Sequence, residues 1–447
     1  MSGKGSVSGV SGSVSGVSPA RACAFTVIRR VFERGAYADR ALAAEASDLG
    51  PRDRALATRL AYGTIQRRAT LDHVATALVG RSLETLDSPV LAALRLGLFQ
   101  VLLLAGVADH AAVNESVELA KTAHGGGFKL VNAVLRRATR EGSTILGALD
   151  DETPERAAIL HSVPEWLARL WWEELGPAQA RALLARINDP PESALRVNEL
   201  RATPERVLAG LPVPARQVPD LPEALVLDGA FDAFGSPLWQ SGAIMPQSRA
   251  SMTVARMLAP APGERALDLC AAPGAKTTHL AALMEGAGEV IAVERHAGRA
   301  ESLRQTCARM GARSVQVQEG DAAVARADGP YDRVLVDPPC SGLGTLQSRP
   351  DIRWRSSLRN IAALADIQQE ILGAGASATT PGGVLVYSVC TITRAEGDGV
   401  IEAFLAAHPD FELERRRQLM PHLDGTDGFF IARLRRSGAL PYEGNRE

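Results

Sequence analysis

The feature that most constrains the fold is the stretch RALDLCAAPGAKTT, residues 265–278. A short apolar run that carries Asp268 leads into a turn of small residues, and a helix is predicted to open at Lys276. A strand that stops at such a turn before a helix places backbone N–H groups and the positive helix end beside a ligand. Gly274 suits a position where a Cβ would block the required φ or the approach of a ligand. The stretch therefore predicts a strand–turn–helix unit with a binding loop.

This loop lacks the spacings GxGxxG and GxxxxGK[ST], so a nucleotide phosphate is not its obvious ligand. The apolar run EVIAVE ends in Glu294, 20 residues after Gly274. At that offset and at a strand end, an acidic side chain holds a ribose diol. An ordinary βαβ unit with a chance acid is the alternative, but the combination favours a site for a nucleoside without phosphates.

From residue 246 onward, strand-like and helix-like segments alternate. Strands are predicted at 265–270, 289–294, 314–318, 331–337 and 383–388, helices near 276–284, 297–310, 359–375 and 396–407, and a closing antiparallel pair at 411–416 and 428–434. This order predicts an α/β fold with a doubly wound, mostly parallel sheet and an antiparallel terminal hairpin. Ligands collect at the carboxyl ends of the strands in such sheets, which is where the candidate residues fall.

Residues 20–140 predict an all-α bundle, because apolar residues recur at helical spacing and no strand pattern appears. The most apolar stretch, 89–108, is interrupted by Arg95 and Gln100, which favours a buried helix over a membrane span. Residues 20–140 hold 17 Lys and Arg against 11 Asp and Glu, whereas the whole chain has 49 and 51. That local excess suits either RNA phosphates or a solvated surface.

The predicted organisation has five parts: a disordered tail, the bundle, a connector with a small α+β unit, the α/β domain and a second tail, at 1–19, 20–140, 141–245, 246–436 and 437–447. The first tail has no apolar core and is not a signal peptide. The widely spaced cysteines favour free thiols in a reducing cytosol over a disulfide framework, and no CxxC pair or His/Cys cluster indicates a metal: Cys23, Cys270, Cys307, Cys340 and Cys390.

Two of the predicted strand ends carry cysteines. Cys340 follows Asp337 and two prolines, which stiffen the turn, and Cys390 ends the next strand. Each cysteine alone is more often a small buried hydrophobe, but a pair beside a nucleoside pocket favours reactive thiols. Two thiols suit methylation at carbon 5 of a pyrimidine, where a thiolate adds to carbon 6 and carbon 5 becomes nucleophilic. Lys276 is a candidate cation to favour the thiolate.

The motifs DLCAAPGAKTTHLA, VDPPCSG, RPDIRW, YSVCT and DGFFIARL resemble those of the RNA cytosine-5 methyltransferases. VNAVLRR, AVNESVELAK and YGTIQRR resemble the NusB-type RNA-binding bundle, so residues 20–436 together are similar to the Sun/Fmu type of this family. The resemblance implies a nucleophilic Cys390, a Cys340 that assists release and an Asp337 that contacts the base, whereas the residues alone leave the order of the thiols open. It also implies S-adenosylmethionine, without a metal, bound by Cys270, Ala271, Ala272, Pro273, Gly274, Ala275, Lys276, Glu294, Asp321 and Asp337.

Some positions depart from the family pattern. Ala275 stands where the family has a second Gly, Glu294 where it has Asp, and Val389 where it has Thr. The Glu-Glu-Asn usual after the second cysteine is reduced to Glu396-Gly397, so we assign no role there. None of these changes removes a reacting group.

The segment 345–359, which lies between the two cysteines, is predicted to be a basic loop that binds a single-stranded or flipped RNA segment. The residues expected to make this contact are Arg349, Arg353, Trp354 and Arg355. The alternative is a solvated loop with a packed tryptophan.

Three functions remain in view at this point. The first is cytosine-5 methylation of 16S rRNA, either naked or in an early assembly intermediate of the small subunit, by a monomer that does not contact a membrane. The second is the same chemistry on transfer RNA, which the NusB-type bundle disfavours. The third is a non-catalytic RNA-binding or antitermination factor, which the intact Asp337, Cys340 and Cys390 argue against.

Overall fold

The computed structural model describes residues 16–122, 126–323 and 329–438. The predicted tails lie almost entirely outside the described residues. The chain separates into two units, of which the first spans Met1–Asn188 with Arg349–Arg355 and the second spans Asp189–Ser348 with Ser356–Glu447. The predicted domain boundaries stay a prediction.

Helices make up the first unit, and its described residues before Asp189 contain no strand. In chain order they are α1 (Pro19–Arg34), α2 (Ala38–Glu45), α3 (Pro51–Gln66), α4 (Arg68–Val79), α5 (Ser88–Leu103), α6 (Asp109–Ala120), α7 (Phe128–Gly147), α8 (Pro154–Leu160), α9 (Glu165–Leu175) and α10 (Pro177–Arg186). The all-α bundle predicted for 20–140 is confirmed.

Helix α5 is buried along most of its length, as its composition predicts. Its two interrupting polar residues have partners inside the bundle: Arg95 forms an ion pair with Asp72 at 2.7 Å, and Gln100 accepts a hydrogen bond from Arg21 at 2.6 Å. Paired in this way, both side chains can be buried without a large desolvation penalty. No helix in the described ranges is long and apolar enough to cross a membrane.

A small antiparallel sheet opens the second unit. Its elements are β1 (Ala194–Val197), α11 (Pro204–Gly210), β2 (Ala215–Val218), β3 (Leu221–Leu227), α12 (Pro237–Gln240) and β4 (Ile244–Pro246). The strand order is β2-β3-β1-β4, and the pairs are antiparallel.

The remaining strands form a second, larger sheet, and helices lie between them along the chain. They are α13 (Arg249–Leu258), β5 (Arg265–Asp268), α14 (Ala275–Leu283), β6 (Glu289–Glu294), α15 (Ala297–Met310), β7 (Val315–Glu319), β8 (Tyr331–Val336), α16 (Ile352–Arg355, in the first unit), α17 (Leu358–Ala378), β9 (Thr379–Val389), α18 (Asp398–Ala407), β10 (Phe411–Leu419), α19 (Pro421–Asp424) and β11 (Phe429–Arg436). In the described residues the strand order is β10-β11-β9-β8-β5-β6-β7.

Strands β9, β8, β5, β6 and β7 pair in parallel, and the terminal hairpin adds antiparallel β11 and β10 to the edge. Neighbouring residues of β5 face opposite layers: Ala266 packs in the cluster that holds residues of α13 and α14, and Leu267 packs with residues of α17. Helices therefore cover both faces, which explains why the inner strands β6 and β9 carry the continuous apolar runs VIAV and VLVY. The predicted doubly wound α/β fold with its closing hairpin is confirmed.

Candidate active site

The predicted site residues lie at the carboxyl ends of adjacent parallel strands. Cys390 follows β9, Asp337 follows β8, Cys270 follows β5 and Glu294 ends β6, and these four strands are consecutive neighbours in the sheet. Asp321 follows β7, the next strand outward. Because parallel strands end on the same side of a sheet, this strand order brings the predicted residues to one edge of the sheet.

The loop between β5 and α14 turns on Gly274, whose φ of +104° is rarely adopted by L side chains. A Cβ at this position would also come within 2.7 Å of Leu303 on α15. The loop is tied down by main-chain hydrogen bonds from Ala271 N–H to Val293 O at 3.0 Å and from Gly274 N–H to Ala271 O at 2.9 Å. The first N–H groups of α14 have no intrahelical partner and remain available at this end of the helix.

Asp268 lies at the end of β5 and contacts the start of α14, so it connects the two ends of this loop. It was not predicted as a site residue from the sequence. Its carboxylate is buried and accepts a hydrogen bond from Thr277 on α14 at 2.7 Å. Burial, reinforced by the charge of Asp337, raises the pKa of Asp268 to about 6. Burial likewise raises the pKa of the nearby Cys270 thiol, so this cysteine is a neutral part of the loop.

Glu294 and Asp321 lie at the next two strand ends. The buried Glu294 carboxylate accepts a hydrogen bond from the main chain of His296 at 3.0 Å and lies 3.4 Å from the guanidinium of Arg299. Arg299 also donates to Ala272 O in the binding loop at 2.7 Å, which links the loop to the end of β6. Asp321 accepts from Ala323 N–H at 3.1 Å.

Lys276 and Asp337 form an ion pair at the centre of the site, with 2.6 Å between Nζ and Oδ2. Ser388 on β9 donates to the other Asp337 oxygen at 2.8 Å, so both oxygens have partners. Burial lowers the pKa of Lys276, but attraction by Asp337 and by the Cys390 thiolate outweighs burial and leaves that pKa raised. Lys276 therefore carries a positive charge that attracts the Cys390 sulfur when it is ionised.

The two cysteines predicted to meet do so, with 3.3 Å between Cys340 Sγ and Cys390 Sγ. The hydrogen bond with Cys390, together with burial, raises the pKa of the Cys340 thiol well above its usual value. The main-chain N–H of Gly344, in the loop after Cys340, donates to Cys390 O at 3.0 Å. Gly344 has to be glycine, because a Cβ there would lie 1.9 Å from the carbonyl oxygen of Gly428.

The part of the basic segment that was predicted to contact RNA, Arg349–Arg355, belongs to the first unit. Arg353 is completely buried and donates to Ser162 O and to the Asn188 side chain, each at 3.0 Å. Its predicted contact with RNA is therefore wrong, because a fully buried side chain has no surface to offer. Trp354 donates from its indole nitrogen to Ile65 O at 2.7 Å.

The two other arginines predicted to contact RNA, Arg349 and Arg355, are exposed. Arg355 hydrogen bonds to Gly35 O, and its guanidinium lies 3.9 Å from the centre of the Tyr37 ring. RNA contact by Arg349, Trp354 and Arg355 stays a prediction.

A group that sequence reasoning missed lies behind the thiols. Glu396 is fully buried and accepts hydrogen bonds from the residues that follow each cysteine, Ser341 and Thr391. The sequence signal for it was the remnant Glu396-Gly397 of the family's Glu-Glu-Asn, to which no role was assigned. Within the described ranges, no three His, Cys, Asp or Glu side chains form a group that could hold a metal ion.

Comparison with family models gives three matches along the chain. The model described as 16S rRNA methyltransferase RsmB/F matches residues 255–435, the NusB family model matches 18–140, and the ferredoxin-like domain model of the RsmF/B-like methyltransferases matches 163–233.

Curated relatives and solved structures agree with these matches. The chain is 36% identical to the probable ribosomal RNA small subunit methyltransferase B of Bacillus subtilis, over 88% of this chain and 93% of that protein. It is 37% identical to ribosomal RNA small subunit methyltransferase B of Thermus thermophilus, over 93% of this chain and 97% of that protein. Among solved structures, the crystal structure of PH0851 matches this fold with a TM-score of 0.79 over 94% of this chain and 99% of that chain, and the two sequences are 26% identical. A methyltransferase homologue from Pyrococcus horikoshii, also 26% identical, matches with a TM-score of 0.58 over 64% of this chain and 99% of that chain.

Proposed function

Since the chain belongs to the RsmB/F family of 16S rRNA methyltransferases, we propose that it transfers a methyl group from S-adenosylmethionine to carbon 5 of a cytosine in 16S rRNA, with Cys390 as the nucleophile. The observation that carries this proposal is the 3.3 Å separation of the Cys340 and Cys390 sulfurs at neighbouring strand ends. A thiol that adds to carbon 6 solves the main difficulty of this reaction, which is that carbon 5 of cytosine is a poor nucleophile.

The residues at the strand ends suit S-adenosylmethionine. The free N–H groups at the start of α14 and the carboxylates of Glu294 and Asp321 offer donors and acceptors for a nucleoside that lacks phosphates. When bound, S-adenosylmethionine supplies an electrophilic methyl group on a sulfonium. We propose that it is held by Cys270, Ala271, Ala272, Pro273, Gly274, Ala275, Lys276, Glu294, Asp321 and Asp337.

The electrostatics of the site support Cys390 rather than Cys340 as the nucleophile. The ammonium of Lys276 attracts the Cys390 thiolate, which is the reactive form of the sulfur. Asp337 and Ser388 fix the position of this ammonium through the contacts at 2.6 and 2.8 Å. The hydrogen bond with Cys390, together with burial, raises the pKa of Cys340, so within this pair Cys340 is the thiol that donates to the Cys390 sulfur.

The proposed chemistry is covalent. Attack of Cys390 Sγ on carbon 6 forms a C–S bond and turns carbon 5 into the nucleophile. The Asp337 carboxyl, in its protonated form, donates a hydrogen bond to the N3 edge of the ring and so stabilises the negative charge that develops there. Carbon 5 then takes the methyl group as the S–CH3 bond breaks, with S-adenosylhomocysteine as the leaving group. Carbon 5 loses its proton to a base, and the C–S bond to Cys390 breaks, which restores the ring and returns Cys390 as a thiolate.

We assign the release step to Cys340. The largest cause of its raised pKa is the hydrogen bond with Cys390. This cause disappears once the Cys390 sulfur is bonded to carbon, so Cys340 becomes more acidic at the stage at which a base is needed. The target cytosine has to leave its stack to reach both sulfurs, so we expect it to be unpaired or flipped.

The test is transfer of a radiolabelled methyl group to unmodified 16S rRNA, with transfer RNA in parallel. We expect wild type to methylate the rRNA, whereas Cys340→Ala and Cys390→Ala both fail. Cys340→Ala is expected to accumulate a protein–RNA adduct that survives denaturation, because Cys390 can attack but is not released. Cys23→Ala, which removes a thiol of the helical unit, is the matched control and keeps wild-type activity.

Other outcomes would contradict the proposal in distinct ways. An adduct in Cys390→Ala would reverse the two thiol roles. Methylation of transfer RNA alone would change the substrate class. If wild type binds RNA but neither binds S-adenosylmethionine nor transfers a methyl group, the chain is a non-catalytic RNA-binding factor.

A further inference from the structure

Glu396 is a buried carboxylate that the proposed mechanism leaves unused, and its partners among the described residues are neutral donors. Its Oε1 accepts from the main-chain N–H of Ser341 at 2.8 Å and from the side-chain amide of Gln368 at 3.1 Å. Its Oε2 lies 2.5 Å from the hydroxyl of Ser341, 3.0 Å from that of Thr393 and 3.3 Å from that of Thr391. A buried charge without a counterion is costly unless several donors surround it, as they do here.

Apart from Gln368, which lies on α17, these donors belong to the loops that follow Cys340 and Cys390. Ser341 is the residue after Cys340, and Thr391 is the residue after Cys390. The hydroxyls of Ser341 and Thr391 also lie 2.8 Å apart, so they and the carboxylate of Glu396 form a closed triangle. A carboxylate bonded to both loops constrains the distance between them.

Glu396 is itself held from β9 and α17. The hydroxyl of Tyr387 lies 2.7 Å from the main-chain oxygen of Glu396 and 2.9 Å from the side-chain oxygen of Gln368. Gln368 also donates to Pro339 O, immediately before Cys340, at 3.0 Å. The main chain of Glu396 is therefore held by the sheet through Tyr387, and its carboxylate is held by α17 through Gln368 as well as by the loops.

We propose that Glu396 is a positioning residue that sets the separation of the Cys340 and Cys390 sulfurs. It acts through Ser341 and Thr391. Its shorter bonds, 2.5 and 2.8 Å, go to Ser341 on the Cys340 side, and those to Thr393 and Thr391 are 3.0 and 3.3 Å. Loss of the carboxylate therefore displaces Cys340 more than Cys390. The catalytic consequence of this displacement rests on the proposed function, whereas the geometry does not.

The first experiment compares Glu396→Gln with Glu402→Gln. Glu402 is an exposed residue of α18, so it gives the same chemical change outside the network. We expect Glu396→Gln to lower kcat by about 10- to 100-fold, since a charged acceptor of several buried hydrogen bonds is lost. The KM for S-adenosylmethionine stays unchanged, and a denaturation-resistant RNA adduct through Cys390 accumulates because release is the slower step. Glu402→Gln retains the wild-type kcat.

The second experiment measures the thiol geometry without RNA or methyl transfer. Phenylarsine oxide bridges two close thiols, forming two As–S bonds with loss of one water molecule. We expect wild type to bind it through Cys340 and Cys390, Cys340→Ala to lose that binding, and Glu396→Gln to bind at least about tenfold more weakly. Because this assay needs no activity, it separates a failure of this inference from a failure of the proposed function.

Wild-type kcat and wild-type arsenical affinity in Glu396→Gln would overturn the inference. If Glu396→Gln does not fold, as judged by its melting temperature, Ser341→Ala replaces it, because this variant removes one hydroxyl donor and leaves the carboxylate in place. We expect Ser341→Ala to lower kcat and arsenical affinity by a smaller factor, in a chain whose thermal unfolding shows that it still folds. Wild-type values of both quantities in Ser341→Ala would overturn the inference as well.

Discussion

At the scale of single residues, the charged forms of the residues before and after the loop between β5 and α14 are affected in opposite ways: a neighbouring charge favours ionised Lys276, whereas burial disfavours ionised Asp268. Lys276 is kept charged by Asp337, although burial alone would favour its neutral form. Among the residues that the structure describes, Asp268 has no cation in hydrogen-bond contact, and burial raises the pKa of its carboxyl. An ionised Asp268 is therefore a cost to stability at neutral pH.

The sign of this cost gives a prediction for Asp268→Asn. The folded-state pKa of about 6 exceeds the unfolded value of 3.8, so the folded chain binds the extra proton between these values and loses stability as pH rises through them. The penalty is fully developed above pH 6 and amounts to about 3 kcal/mol. We expect the free energy of unfolding of Asp268→Asn, relative to wild type, to rise from pH 4 to pH 6 and then level off, since Asn keeps an acceptor for Thr277.

The measurement is denaturant unfolding of both chains across this pH range. Asp366→Asn, a change of an exposed carboxylate on α17, is the control and should track wild type. If the difference in the free energy of unfolding between Asp268→Asn and wild type did not vary with pH, burial would not raise the pKa of Asp268.

At the scale of elements, α16 behaves differently from the rest of the segment between the cysteines. It belongs to the helical unit, although the chain on both sides of it belongs to the other unit. Arg353 and Trp354 satisfy main-chain acceptors at the end of α3 and after α8. Burial lowers the pKa of Arg353 to about 9, which still leaves its guanidinium charged at neutral pH.

Arg353→Met is therefore expected to destabilise the helical unit. The substitution keeps an apolar stem but leaves Ser162 O and the Asn188 side chain without their donor, at a cost of about 3 kcal/mol. The check is the thermal unfolding midpoint, with Arg359→Met, a change of an exposed arginine on α17, as the control. Equal midpoints for the two variants would mean that Arg353 contributes nothing through these bonds.

At the scale of the whole molecule, the first unit is discontinuous in sequence. It consists of Met1–Asn188 and of one short later segment, Arg349–Arg355. The residues that we propose to react, in contrast, all belong to the second unit. Binding of S-adenosylmethionine and docking of α16 are therefore expected to be separable.

A chain that begins at Asp189 tests this separation. It lacks the acceptors of Arg353 and Trp354, so trypsin is expected to cleave after Arg353 and Arg355 at least about tenfold faster than in the full chain. Binding of S-adenosylmethionine should persist, because the sheet and its strand ends are intact. Equal protection of α16 in the two chains would show that its burial does not depend on the helical unit.

The sequence by itself determined the α/β sheet, the helical bundle and the edge of the sheet where the site lies. Those features follow from local periodicity, since a strand repeats every two residues and a helix every 3.6, and from the rule that parallel strands end on one side. Asp337, Cys340 and Cys390 were therefore placed correctly at adjacent strand ends from the sequence.

Only the tertiary structure decided which side chains pair. Glu396 meets Ser341 across 55 residues, and Arg353 meets Ser162 across 191. Sequence spacing predicts contacts within one helix or strand, but a hydrogen bond between distant residues depends on how the elements pack. For this reason an arginine that reads as an RNA contact is buried, and a glutamate to which the sequence assigned no role bridges the residues that follow Cys340 and Cys390.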